Sequence, residues 1–283
     1  MDTLKIGSVG KQVSQIQEFL DDEGFYKGLI DGSFGPKTQS AVIAFQKQFN
    51  LSPDGVIGPK TLDKFRELGF QKEGNEVDSK NSLHKQIREI IDKNSNKLIS
   101  NGFDPNKHVI AVAIRGFDLE EGEKGKNDRR IWDDKHFIVT PKEIKEFDGN
   151  TDPNGYRKGH GTGSNKGMAC LKKGVWFFGR GTHKGTPAFR QCVPFTVIRD
   201  GNPPYEDTGY HAINWHSGSQ SSTSSLGCQT NKPNDFVVLR DFIYKKMEEF
   251  DNPKMKNDWG QTVRAIPYIL IEEVDRRKGI LTV

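Results

Sequence analysis

Apolar positions recur at helical spacing in the first seventy residues and in short extended runs over much of the last two hundred. Val13, Ile16 and Leu20 fall on one face of a first helix, and Val42, Phe45 and Phe49 on one face of a second. Residues 71–82, QKEGNEVDSKNS, are polar and read as a linker. Ile87, Ile90, Ile91 and Leu98 return to helical spacing. Beyond them the pattern changes to runs bounded by turn formers. These are His108–Arg115, His136–Thr140, Gly174–Phe178, Pro194–Arg199 and Ile266–Ile271, all read as strands. Phe236, Leu239, Ile243 and Met247 mark one further helix within 235–250. The pattern predicts a small helical domain at 1–70, a linker at 71–82, and a mainly β domain with a few helices at 83–283.

An internal repeat sharpens the first part. Asp31-Gly-Ser-Phe-Gly-Pro-Lys-Thr38 returns 23 residues later as Asp54-Gly-Val-Ile-Gly-Pro-Lys-Thr61, with six of eight positions identical. Each copy reads as an Asp-Gly turn, a glycine free to take positive φ, and a proline in the first turn of a helix, where its missing N–H costs nothing.

Length and composition fit two soluble domains. The chain has 283 residues, 33% hydrophobic and 28% charged, with no stretch near the ~18 apolar residues of a membrane span. Mean hydropathy is −0.71 and the pI about 8.8. A net charge of +4 is compatible with an anionic partner and selects none. The first residues, MDTLKIGSVGKQV, lack the basic and apolar regions of a standard secretory leader, so manufacture in the cytoplasm and export by another route is the expectation. Cys170, Cys192 and Cys228 are too few for a disulfide framework and form no CxxC, so all three are expected to be reduced.

Candidate chemistry gathers in Tyr210-His-Ala-Ile-Asn-Trp-His-Ser-Gly218 and Ser225-Leu-Gly-Cys-Gln-Thr230. A thiol nucleophile needs a base beside it and backbone donors for the oxyanion. His216 precedes Cys228 by twelve residues, and a serine-rich hairpin over 218–224 would bring the imidazole to the thiol. Gly227 permits an unusual backbone angle before the sulfur, and the Gly227 and Cys228 amides, or the next along, would face the oxyanion. The alternative is a small buried cysteine and a hydrogen-bonded histidine, which composition alone favours. His183 with Arg180 and Gln191 could line a substrate groove, or His183 could simply hold a loop. His211 orients the site or packs beside Trp215. Arg199 pairs internally or holds a substrate carboxylate. Asn150–Pro153 reads as a plain turn and Asn127–Arg130 as a solvated loop. Three histidines raise zinc, yet HExxH is absent and no Asp or Glu stands at a familiar ligand spacing, so no cofactor or metal is expected. A serine nucleophile lacks its Gly-x-Ser-x-Gly elbow.

Residues 4–69 resemble the peptidoglycan-binding domain 1 family, a three-helix bundle. The resemblance rests on Gly7, Gly10, Val13, Gln17, Leu20, the DGSFG turn, Thr38, Ala41, Val42, Phe45, Gln46 and DGVIGPKT. His216-Ser-Gly and Ser225-Leu-Gly-Cys228 are similar to the signature of the L,D-transpeptidase catalytic domain, over about 20 residues. Leu226 stands where that family has a second histidine, and Gln229-Thr230 departs as well. The second resemblance implies a β-rich, sandwich-like fold with Cys228 as nucleophile, His216 as general base and Gly227 and Ser225 shaping the loop. Ser225, Ser217, His211, His183 and Arg199 would then face substrate.

Together the two resemblances imply a cysteine acyltransferase or peptidase on peptidoglycan stem peptides, acting in periplasm or wall. With no leader, a phage lysin or secreted antibacterial effector is the expected setting, with an immunity protein or delivery system as further partners. A housekeeping crosslinking enzyme, a non-catalytic wall-binding protein and a zinc amidase or peptidase are the alternatives. No nucleic acid and no membrane insertion are expected.

Overall fold

The computed structural model describes residues 3–68, 70, 76–117, 129, 131–159, 165–220 and 222–283. It divides into two compact units, Met1–Ser82 and Leu83–Val283. Among the described residues no helix is long and apolar enough to cross a membrane.

The first unit is built on α1 (Lys11–Asp22), α2 (Pro36–Gln48) and α3 (Pro59–Glu67). Val13, Ile16, Leu20, Val42, Phe45, Leu62 and Phe65 form its core, with Phe34 and Ile57 from the turns. Pro36 and Pro59 each open a helix. The sequence repeat is a repeated hydrogen-bond cage. The buried Gln17 side chain donates to Asp31 Oδ1, Ser33 O and Thr38 Oγ1, each at 3.0 Å, and accepts from Gly32 N at 2.9 Å. Gln46 repeats the pattern with Asp54 Oδ1, Val56 O, Thr61 Oγ1 and Gly55 N. Each amide replaces the water that a buried turn would otherwise require. Gly32 and Gly55 sit at φ +68° and +69°, the angles the Asp-Gly turns demand.

α4 runs over Glu76–Lys93, so the second half of the expected linker is helical. α5 (Ser95–Ile99) follows. A main sheet is then laid down from β1 (Ile110–Arg115), β2 (Asp134–Val139), β3 (Ile144–Gly149), β5 (Gly174–His183), β6 (Thr186–Gln191), β9 (Asn214–Ser217), β10 (Gln229–Asn231) and β12 (Thr262–Glu272). Their order is β10-β9-β6-β5-β12-β1-β2-β3, with β11 (Lys254–Lys256) paired to β12. A second sheet joins β4 (Ala169–Leu171), β7 (Phe195–Arg199) and β8 (Tyr205–Gly209).

The main sheet curls until its ends meet. Asn150, just past β3, exchanges two 2.8 Å backbone hydrogen bonds with Thr230 of β10. The mainly β reading with a few helices holds, and Ala169, Leu171, Phe195 and Val197 of the small sheet share one core with the main sheet, which also returns to its own edge. This closure leaves neither β3 nor β10 with a fully open edge at that point.

Alternation along the strands explains the continuous apolar runs. Ala111, Ala113, Ile138, Phe178, Ile266 and Tyr268 face a core that holds α6 (Pro233–Glu249), through Phe236, Leu239, Ile243 and Met247. Ile110, Val112, Phe137, Phe177 and Ile269 face a second core with α4 and α5, through Ile87, Ile90, Ile91 and Leu98. Strands buried on both faces read as unbroken hydrophobic runs. The residues expected to form a plain turn at 150–153 do more than turn the chain. Thr151 and Asp152 are fully buried beside Arg115. Arg115 donates to Thr151 Oγ1 and O and to Leu171 O, lies 3.3 Å from Asp152, and pairs with Glu272 at 3.0 Å. A buried guanidinium survives only with its donors satisfied, and here it ties β1, β4 and β12 together.

The cages in the first unit give a direct test. Gln46→Ala leaves Asp54, Thr61 and Gly55 without their shared partner and should cost about 2–4 kcal/mol. In urea unfolding, the transition of the N-terminal unit moves to lower denaturant while that of the C-terminal unit stays in place.

Candidate active site

β9 and β10 run parallel, with Gln229 beside Trp215 and Thr230 beside His216. The expected serine-rich hairpin is thus corrected: the chain re-enters the sheet at Gln229 parallel to β9, not antiparallel to it. Parallel neighbours need such a return, because a tight turn can only reverse the chain. Continuing this register puts Cys228 next to Asn214. The Asn214 backbone N–H points at the Cys228 sulfur from 3.4 Å, and the thiol faces Ala212 O at 3.7 Å. Asn214 and His216 lie two apart on one strand and so share a face. Cys228, His216, His183, His211 and Arg199 all line a single pocket of about 310 Å³.

His216 is buried, and its Nδ1 lies 2.7 Å from Ser217 O. A carbonyl only accepts, so Nδ1 carries the hydrogen and Nε2 is the basic nitrogen. Burial lowers the imidazole to about 4, with the neighbouring His183 and Lys184 pushing the same way against the Ser217 carbonyl. His183 is the last residue of β5, and its ring stacks on that of His216 at 4.4 Å with 13° between planes. The Asn214 amide holds His183 Nδ1 at 2.9 Å. The second imidazole of the site is therefore supplied by a distant hairpin, while Leu226 stays exposed on the rim. Burial raises the Cys228 thiol, although the Asn214 N–H and the charges of Lys184 and Arg190 oppose this. Thiol and imidazole are consequently both neutral near pH 7.

The other candidate side chains take the following places. Ser225 Oγ donates to Cys228 O at 2.6 Å and accepts from Gly227 N at 3.0 Å, so it braces the loop and does not line the pocket. That bond also spends the Gly227 amide, leaving the Cys228 amide as the nearer candidate for an oxyanion. Gly227 sits at φ +142° with Ala169 O 2.3 Å from where a Cβ would be, so no other residue fits. Ser217 acts through its carbonyl, and its hydroxyl turns to Gly218 O. His211 donates from Nε2 to Asp207 O at 3.0 Å and faces Arg199 Nη2 with Nδ1, a buttress to the pocket wall. Arg199 pairs with Asp207 at 3.0 Å and donates to Gly167 O. Arg180 pairs with Glu248 and lies over Tyr244, outside the lining. Gln191 accepts from the His211 and Ile213 amides and donates to Val193 O and Gly209 O, a support behind the pocket. Arg129, expected on a solvated loop, pairs with Asp200 at 2.7 Å, whereas residues 127, 128 and 130 lie outside the described residues.

The sequence reading missed Arg157, Lys184 and Asn214. Asn214 was recoverable from its two-residue spacing to His216; nothing local marked Arg157. Arg157 and Lys184, with Arg199, give the pocket three cations, and no carboxylate appears among its described lining residues. Lys184, Ala212 and Ser224, all on the lining, hold φ of +49°, +54° and +50°. Backbone strain of this kind costs about 1–3 kcal/mol per residue and concentrates at sites that use it. All three cysteines are free, and among the described residues no group of three His, Cys, Asp or Glu could hold a metal ion.

Residues 9–65 match the family described as "Putative peptidoglycan binding domain". Over 65 residues the chain is 45% identical to the N-acetylmuramoyl-L-alanine amidase CwlM of Mycobacterium tuberculosis, covering 23% of this chain and 16% of that one. It is 45% identical over 58 residues to the spore cortex-lytic enzyme of Oceanobacillus iheyensis, covering 20% and 21%. A zinc D-Ala-D-Ala carboxypeptidase of Streptomyces albus G is 41% identical over 71 residues, covering 23% and 27%. The matched part spans 16–27% of these relatives' length. Among solved structures, an L,D-transpeptidase from Xylanimonas cellulosilytica is 17% identical, covering 96% of this chain and 98% of that chain at a TM-score of 0.24. A Burkholderia AP3 phage endolysin is 24% identical, covering 42% and 47% at 0.23.

The raised thiol has a measurable consequence. Cys228 alkylates with iodoacetamide ahead of Cys192, which is buried and pushed up to about 12. A raised thiol holds less thiolate at neutral pH than free cysteine, so its rate keeps climbing past pH 9, the ordinary thiol value. Peptide mapping by mass spectrometry across pH 5–10 checks this, and a plateau already below pH 7 contradicts it.

Proposed function

We propose that the protein is a cysteine acyl-transfer enzyme acting on the stem peptides of peptidoglycan, delivered to its polymer by the N-terminal module. The observation that carries this reading is the shared pocket of Cys228 and His216, in which Ser217 O fixes the His216 tautomer with Nε2 as base. The three cations and the lack of a described carboxylate in the lining favour an anionic substrate. A stem peptide ending in a free carboxylate has that chemistry. The matched family and the cell-wall enzymes among the relatives support the same polymer.

In the reaction, His216 Nε2 takes the Cys228 proton as the sulfur attacks the scissile carbonyl carbon. The carbonyl oxygen becomes an oxyanion facing the Cys228 amide. Collapse breaks the C–N bond, and His216 returns its proton to the leaving amine, leaving a thioester on Cys228. Water then attacks the thioester carbon while giving His216 a proton; the C–S bond breaks, the acid leaves, and His216 returns that proton to the Cys228 sulfur. An amine in place of water would make a crosslink by the same steps. Starting from a neutral pair suits this, because His216 at about 4 is free to accept a proton at neutral pH. His183, stacked on His216, restrains the base, and Arg157 would hold the substrate carboxylate.

Digestion of purified sacculi followed by muropeptide mass analysis tests the proposal. Cys228→Ala is expected to remove all new products, and His216→Ala to slow their appearance about 10²–10⁴-fold. A gain of water in the products identifies hydrolysis, whereas new linked dimers identify an amine acceptor. Undiminished turnover by Cys228→Ala would end this reading.

A further inference from the structure

Two exposed aromatic rings are built alike. Tyr156 is 60% exposed and Trp259 is 56% exposed. One lies against the Arg129 guanidinium at 5.1 Å, the other against that of Arg190 at 3.6 Å. Each arginine is itself clamped by a carboxylate through two hydrogen bonds. Arg129 donates to both Asp200 oxygens at 2.7 Å, and Arg190 to both Asp258 oxygens at 2.6 Å. The backbone around each ring is pinned too. Asp200 accepts from Arg157 N, next to Tyr156, while Asn257 Oδ1 accepts from Trp259 N and Gln261 N.

An aromatic ring in water gains little from being held this firmly unless something stacks on it. Rigid placement removes the ordering cost that a flexible ring would incur on binding. Each ring is tied to the pocket through a neighbouring residue. Tyr156 adjoins Arg157, a pocket-lining residue, on the side of the small sheet that ends at Arg199. Trp259 stands over Arg190, which pairs with Asn214 in the main sheet and donates to Thr182 O, next to His183.

We propose that Tyr156 and Trp259 are stacking platforms for pyranose rings of the glycan strand that carries the stem peptide. This rests on the peptidoglycan reading above. A sugar has an apolar C–H face that suits an aromatic surface and needs no charge partner. The cationic pocket would take the peptide. The platforms would then measure the substrate as a sugar-linked peptide, and sugar-free peptides would bind through the pocket alone.

The test is calorimetric titration of the full-length protein, with Cys228→Ala in every variant so that nothing turns over. The two ligands are a disaccharide-tetrapeptide and the same tetrapeptide without sugar. Trp259→Ala and Tyr156→Ala are each expected to weaken the sugar-bearing ligand about five- to tenfold, the scale of one aromatic contact, and to leave the free peptide unchanged. Trp259→Phe and Tyr156→Phe keep binding within about twofold, separating lost stacking from lost folding. The N-terminal module is the same in all variants, so its own binding cancels in the comparison. Equal losses on both ligands, no loss on either, or no binding of the sugar-bearing ligand would each overturn the platforms. Failure of the acyl-transfer reading would appear separately, as the absence of products from the wild-type enzyme on sacculi.

Discussion

The position of the thiol depends on the Asn231 side chain, three residues further along the chain. Its Nδ2 donates to Asp148 O at 2.6 Å and to His136 Nδ1 at 2.9 Å, and its Oδ1 accepts from Trp215 Nε1 at 2.7 Å. The group is fully buried, so breaking any one of these bonds would strand a polar atom away from water. It fastens β10 to β9 on one side and to the end of β3 on the other. Strand β10 is only three residues long and could not hold its register by ladder bonds alone. The amide fixes that register, and with it Cys228 beside Asn214.

The same network runs on through the core. His136, held neutral by burial with its imidazole lowered to about 3, donates from Nε2 to Tyr268 Oη. Tyr268 donates to Gln229 Oε1, and Gln229 Nε2 donates to Gly227 O, next to the thiol. Every member has one consistent direction of donation, which makes the interior rigid. Rigidity explains how strained residues at the pocket rim are tolerated, because a packed and saturated core holds them in place.

Burial sets the chemistry as well. It lowers His216 and raises Cys228, so the pair stands as imidazole and thiol. The surrounding cations counter the rise in the thiol without providing any group to compete for its proton. The buried Arg115 and its carboxylates stand behind the β4 wall, spent on holding strands together.

Local chemistry made part of this legible beforehand. The repeated DGxxGPKT segment dictates its own turn and helix start, and periodicity located α6, β1, β2 and β12 to within a few residues. Those features depend on neighbours in sequence, so sequence reveals them. Strands such as β3, β6 and β10 carry polar or short runs whose strand character comes only from pairing, and no local pattern marks them. Cys228 and His216 were legible as a pair because the loop between them is short. Which way that loop returns was not, since parallel and hairpin connections of this length have similar composition. Tertiary structure alone decided the closure of the sheet through Asn150, the stacking of His183 on His216, and the gathering of Arg157, Lys184 and Arg199. Each joins residues far apart in the chain, and only packing of the whole core brings them within bonding distance.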